Sequence, residues 1–119
     1  MSIQAWQRAS LPMLILTVLA VAPRHGYGLS QALVSVGLQP VKGAQLYPAL
    51  ARLEEEGAIN AEWEQGDSGP ARKVYELTPT GRQQLEDSRA QWQKFLRAVQ
   101  ALGGDPAGTK EPSTIRSTP

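Results

Sequence analysis

At Gly57 the apolar pattern of the chain changes period, and that change restricts the architectures open to it. Before Gly57 the spacing is helical. In "KGAQLYPALARLEEEG" the residues Leu46, Ala49, Leu50 and Leu53 share one face, and Gly57 supplies the stop. A preceding run follows "RHGYG", with Leu29, Ala32, Leu33 and Val36 on one face and Gly37 at its end. Only the short link "LQPV" separates the two runs, the spacing of a helix-turn-helix pair. Further upstream, apolar residues at 11, 14, 15, 18, 19 and 22 predict a buried helix, with Ser10 as its cap, Pro12 in its first turn and Pro23 ending it. After Gly57 the period is two. Ile59, Ala61 and Trp63 alternate with Asn60, Glu62 and Glu64, and Lys73, Tyr75 and Leu77 alternate with Arg72, Val74 and Glu76. Between them "QGDSGPA" is made of turn formers, so the pair reads as a β-hairpin with a tip of about six or seven residues. Three helices followed by a hairpin make a mainly α, winged helix-turn-helix arrangement, here with a two-stranded wing.

The chain has 119 residues, enough for one modest core. It contains no cysteine, which argues against a disulfide framework or thiolate zinc site and points to a reducing compartment, the cytoplasm. The run "LPMLILTVLAVAP" can be read as a secretory leader with Arg8 as its basic start, but Pro23 would then follow the cleavage site and obstruct cutting. The same run is shorter than the ~20 apolar residues a membrane span requires.

Charge is distributed unevenly along the chain. From Met1 through Leu53 there are four bases, Arg8, Arg24, Lys42 and Arg52, and no acid at all. The helix that opens at Lys42 therefore has its charges reversed, with a base at its start and Glu54, Glu55 and Glu56 at its end, against the preference of the helix dipole. An explanation follows if its N-terminal end enters the major groove of double-stranded DNA, where acids would be repelled by phosphates. Gly43 and Ala44 would allow close approach, Gln45 could give two hydrogen bonds to an adenine edge, and Tyr47 could reach a phosphate or a thymine methyl. Arg52, two turns on, suits the DNA backbone, and Arg72 and Lys73 on the returning strand suit the backbone or minor groove. Pro48 should kink the helix or tighten its first turn, which would aim Gln45 and Tyr47.

The tip sequence "GDSGP" is similar to the surroundings of a protease nucleophile, which would make Ser68 a catalyst. The chemistry needs a base and an orienting carboxylate, and His25 is the one histidine. The strand content is also far too small for the two β-barrels that carry such a triad. The tip is turn chemistry, and no enzyme, cofactor or metal is expected, since nothing can join His25 in a metal site built on histidine or cysteine. His25 itself is expected to be structural or to face a phosphate at a helix start.

Three segments, "HGYGLSQAL", "GAQLYPALARLEEEGAI" and "GPARKVYELTPTG", resemble in order and spacing the PadR family of bacterial transcriptional regulators over His25 through Gly81. The resemblance implies a homodimeric winged-helix repressor whose DNA contacts come from the region of Tyr27, from the helix spanning Gln45 to Arg52 with Lys42 at its head, and from Arg72 and Lys73. Gln45 departs from the family, where a threonine is frequent, so the operator cannot be inferred from relatives.

Thr78 and Pro79 open a last helix that Gly103 ends. Leu85, Trp92 and Val99 recur every seven residues, with Phe95 and Leu102 at the alternate seam position, a stripe that packs on a second copy or back onto the core. The resemblance favours dimerisation, with Trp6 and Leu11 packing on the partner's last helix, and it places a small planar aromatic effector near Trp92. Trp92 serving only as interface filler is at least as strong an expectation, since aromatic residues are enriched in such contacts. The organisation expected is therefore a DNA-binding domain over 1–78, a dimerisation helix over 79–102 and a disordered tail over 103–119. A protein-interaction adaptor on the same scaffold is the other reading, because fold does not determine function.

Overall fold

The computed structural model describes residues 2–66 and 69–104. The chain divides into two compact units, one spanning Met1–Asp87 and the other beginning at Ser88. In order, the elements are α1 (Ile3–Ala9), α2 (Leu11–Val21), β1 (Arg24–His25), α3 (Gly26–Ser35), α4 (Gly43–Glu55), β2 (Ile59–Glu64), β3 (Arg72–Leu77) and α5 (Pro79–Gly103). The tail after Gly104 and the serine of "GDSGP" lie outside the described residues.

The core of the first unit is aliphatic. Ile15 and Leu16 of α2, Leu29 of α3, Leu50 and Leu53 of α4 and Ile59 of β2 are its most completely buried large side chains. The apolar faces expected for the two helices of the pair, α3 and α4, are found, except that Val36 at the end of α3 is 74% exposed. Both members of the helix pair end in the same way. At Gly37 (φ 92°) the Leu38 amide donates to the Leu33 carbonyl at 3.1 Å, and at Gly57 (φ 77°) the Ala58 amide donates to the Leu53 carbonyl at 2.9 Å. The left-handed φ is what allows this closure, and it explains why glycine occupies both stops.

Three expectations are corrected. The first predicted helix is preceded by another, α1, and Ser10 does not cap α2 with its side chain, since its hydroxyl donates back to the Trp6 carbonyl at 2.8 Å. The sheet has three strands, in the order β1-β3-β2, with Arg24 opposite Tyr75 and His25 opposite Val74. Pro48 lies inside α4, which is α-helical from Gly43 to Glu55, and in the first turn the Lys42 carbonyl accepts from both the Gln45 and the Leu46 amides at 2.9 Å. Ala44, whose carbonyl loses its helical donor to the proline, and Pro48 are both exposed, so water can supply the missing partner.

The first unit reaches beyond the boundary expected at residue 78 because the start of α5 belongs to its core, with Gly81 and Leu85 buried. Thr78 caps α5 as expected. Its hydroxyl donates to the Gly57 carbonyl at 2.6 Å and accepts from the Gly81 amide at 3.0 Å. In the second unit the helix exposes Trp92, Phe95, Leu96, Val99 and Leu102. No helix among the described residues is long and apolar enough to cross a membrane.

Candidate nucleic-acid interface

α4 buries Leu46, Leu50 and Leu53, which orients the rest of its surface. At about 100° per residue, the opposite side is centred on Ala44, Pro48 and Ala51, with Tyr47 on one flank and Gln45 and Arg52 on the other. Over Gly43–Leu53 the outward ridge is therefore narrow, made of small side chains and bordered by longer polar ones, and the exposed Glu55 continues it at the far end of the helix. No side chain caps the helix at Lys42, whose carbonyl is shared by the Gln45 and Leu46 amides, each at 2.9 Å.

On the Tyr47 flank a groove of about 510 Å³ is lined by Tyr27, Tyr47, Trp63, Arg72 and Lys73 among others. Four of the residues singled out in the sequence thus come together from α3, α4 and β3. Tyr47 lies close against the start of α3, where a Cβ added to Gly26 would stand 2.8 Å from its hydroxyl oxygen. The glycine of "HGYG" is thereby explained by the tyrosine of "LYP": without it the ring could not lie there. Arg72 is exposed. The Lys73 ammonium lies 5.7 Å from the Trp63 ring centroid and 3.9 Å from Glu54 Oε1. The register that pairs Trp63 with Lys73 accounts for the first contact. Glu54, expected at the far end of the helix away from the site, instead meets the wing, because the chain turns sharply at Gly57 and brings the hairpin alongside the last turns of α4.

His25 Nε2 lies 3.2 Å from Glu64 Oε1, so this histidine ties β1 to the end of β2. Tyr75, at the groove's inner side, is 4% exposed, and burial, followed by the neighbouring Tyr47 and Glu54, raises its pKa above the ordinary 10.0.

On the opposite flank Gln45, Pro48 and Arg52 line a second groove of about 460 Å³. Lys42 and Gln45 line a smaller one of about 190 Å³. Gly43 is exposed at the head of α4 between these sides. Two residues escaped the sequence reading. Trp63 is 68% exposed, and the signal for it was an inward alternation continuing beyond the length that the core can cover. Arg8 lines both grooves on the Gln45 flank, and nothing in its local sequence signals this.

The residues expected at a subunit contact fall into two groups. Trp6, Trp92, Phe95, Val99 and Leu102 are 54%, 47%, 57%, 48% and 90% exposed in the single chain. Leu11 and Leu85 are corrected: at 5% and 3% exposed they are already packed in the core of one chain, which leaves them nothing to offer a partner.

Comparison with known proteins identifies the family and the fold. The pattern of the transcriptional regulator PadR-like family matches residues 15–87, more than half of the chain. A transcriptional regulator of Mycobacterium tuberculosis is 39% identical over 99 residues, which cover 83% of this chain and 89% of that protein. A PadR family transcriptional regulator from Eggerthella lenta has a crystal structure similar to this one, with a TM-score of 0.78 and 34% identity over 86% of this chain and 88% of that one. A PadR-like transcriptional regulator from Bacillus cereus gives a TM-score of 0.71 and 30% identity over 82% of this chain and 95% of that one. The helix pair, the wing and the matched relatives have one common meaning: this chain belongs to the PadR-like family of transcriptional regulators.

Proposed function

We propose that the chain binds double-stranded DNA with α4 in the major groove and the β2–β3 wing along the backbone, and that it acts as a homodimeric repressor at a near-palindromic operator. The observation that carries this reading is the outward face of α4. It is lined by small residues, bordered by Tyr47 and Gln45, and free of acids from Gly43 to Leu53, while Arg72 and Lys73 stand beside it. Such a ridge can descend between phosphates that an acidic helix start would repel. A dimer through the exposed stripe of the last helix would set two copies of α4 on half-sites about 34 Å apart. Trp92, half exposed on that stripe, is the wall on which a planar aromatic effector would stack.

The test is binding to a duplex taken from immediately upstream of the protein's own coding region, followed by fluorescence anisotropy between 50 and 200 mM salt. With six or more phosphate contacts, affinity falls about a thousandfold or more across that range. Changing Arg72 and Lys73 to alanine lowers the slope of log affinity against log salt by about 1.8 for each bound subunit, from about 0.9 per phosphate. Binding that ignores salt would turn the reading towards a protein partner, and an unchanged slope in the double variant would remove the wing from the interface.

A further inference from the structure

We infer that Arg8 of α1 is a DNA-backbone contact, so that the interface has a second basic border on the side of α4 away from the wing. The inference rests on the DNA-binding reading above and concerns a residue outside the helix pair and the wing.

Its basis is the way α1 is fastened. Gln7 is 7% exposed, a buried amide in a core that is otherwise aliphatic apart from Tyr75. Its Nε2 donates to the Gln39 carbonyl at 2.7 Å, while its Oε1 accepts from the Gln39 amide at 2.9 Å. Both ends of the buried amide are thus engaged by one backbone unit, which offsets the cost of desolvating them. Gln39 belongs to the link that opens α4, so the clamp fixes α1 beside the head of that helix.

Arg8 follows Gln7 and is rotated about 100° from it, out of the core. It is exposed and lines both clefts on this flank, with Lys42 and Gln45 in the smaller and with Ala44, Gln45, Pro48 and Arg52 in the larger. Among the described residues no acid lies within 4.0 Å of its guanidinium. Glu56 lines the larger cleft as well, and Arg52 stands in that same cleft. Arg8, Lys42 and Arg52 therefore border the Gln45 flank, as Arg72 and Lys73 border the Tyr47 flank. A guanidinium presents a planar fork of donors that matches two oxygens of a phosphodiester. Because Gln45 and the ridge of α4 occupy the position that meets base edges, Arg8 is left beside them, where backbone oxygens lie. It contributes affinity without sequence preference.

Arg8 also sits in the last turn of α1, where a base complements the helix dipole, so a purely structural role has to be separated from a contact. The experiment compares wild type, Arg8→Ala and Arg8→Lys on the upstream duplex and on an unrelated duplex of equal length, with thermal melting of each protein alongside. Arg8→Ala is expected to melt with wild type and to lower the salt slope by about 0.9 per bound subunit, equivalent to about eightfold weaker binding at 0.1 M salt, on both duplexes alike. Arg8→Lys keeps the slope. An Arg8→Ala slope equal to wild type overturns the inference, as does a loss confined to the upstream duplex, which would mean base reading. A wild-type protein whose binding does not depend on salt ends the DNA-binding reading, and this one with it.

Discussion

Replacing Gly81 with alanine tests how tightly the start of α5 is fitted to the first unit. A Cβ at this position would fall inside the shell of the Ala58 carbonyl oxygen, 2.9 Å from the Ala58 carbonyl carbon and 2.7 Å from Leu77 Cδ1. The obstacle is backbone held from both sides: the Ala58 amide donates to Leu53 at 2.9 Å and the Ala58 carbonyl accepts from Thr78 at 3.1 Å. α5 must therefore move, and its movement strains the Thr78 cap. Overpacking costs about 1–3 kcal/mol, and a backbone obstacle belongs at the upper end. A weakened cap adds about 1 kcal/mol, while alanine in place of glycine within a helix returns about 1 kcal/mol. The net expectation is a loss of about 3 kcal/mol, a fall in melting temperature of roughly 12–24 °C for a unit of this size. Urea unfolding followed by far-ultraviolet circular dichroism should show a lower midpoint with the same slope. Gly103→Ala on the same helix, with nothing within 4 Å of the added carbon, is the control and should be neutral or slightly stabilising. A Gly81→Ala protein that melts with wild type would refute the reasoning.

Gly26→Ala meets the mobile end of Tyr47 instead of backbone, so it should leave stability within about 1 kcal/mol of wild type and displace the ring. DNA affinity is then expected to fall roughly fivefold, for about 1 kcal/mol, with no further fall when it is combined with Tyr47→Ala. Phe95→Glu places a charge on the exposed stripe of the last helix and should yield monomers in sedimentation experiments without loss of helix; an unchanged oligomer would place the subunit contact elsewhere. The raised Tyr75 pKa means that the folded chain holds its proton more tightly than the unfolded one. Its contribution is complete below about pH 10 and is lost as pH climbs through the folded value, so stability declines in alkali. Tyr75→Phe should make that decline shallower in denaturant titrations, and an identical decline would contradict the assignment.

The helix pair and the hairpin were legible because each carries its own period and each helix of the pair ends on a glycine with a geometric reason to be there. α1 was not. Its one buried side chain is a glutamine, and a search for apolar spacing passes over it. β1 is two residues long, too short to alternate, and exists because β3 offers it an edge. Leu11 and Leu85 carry the correct spacing for a stripe, but spacing does not say which surface claims a leucine, and the core of the same chain claims both. In the candidate site, Tyr47, Gln45, Arg72 and Lys73 follow from element order. The approach of Glu54 to Lys73 and of Arg8 to Gln45 depends on how distant segments pack, which no local pattern contains.

The dipeptide Gly57–Ala58 terminates α4, leads into β2 and receives the first residues before α5, with a single residue, Thr78, between β3 and that helix. A junction this short behaves like a welded crank. On the DNA-binding reading, a rotation of the opening turn of α5 would pass through Thr78 directly to the end of α4 and the base of the wing, with no loop between them to absorb it.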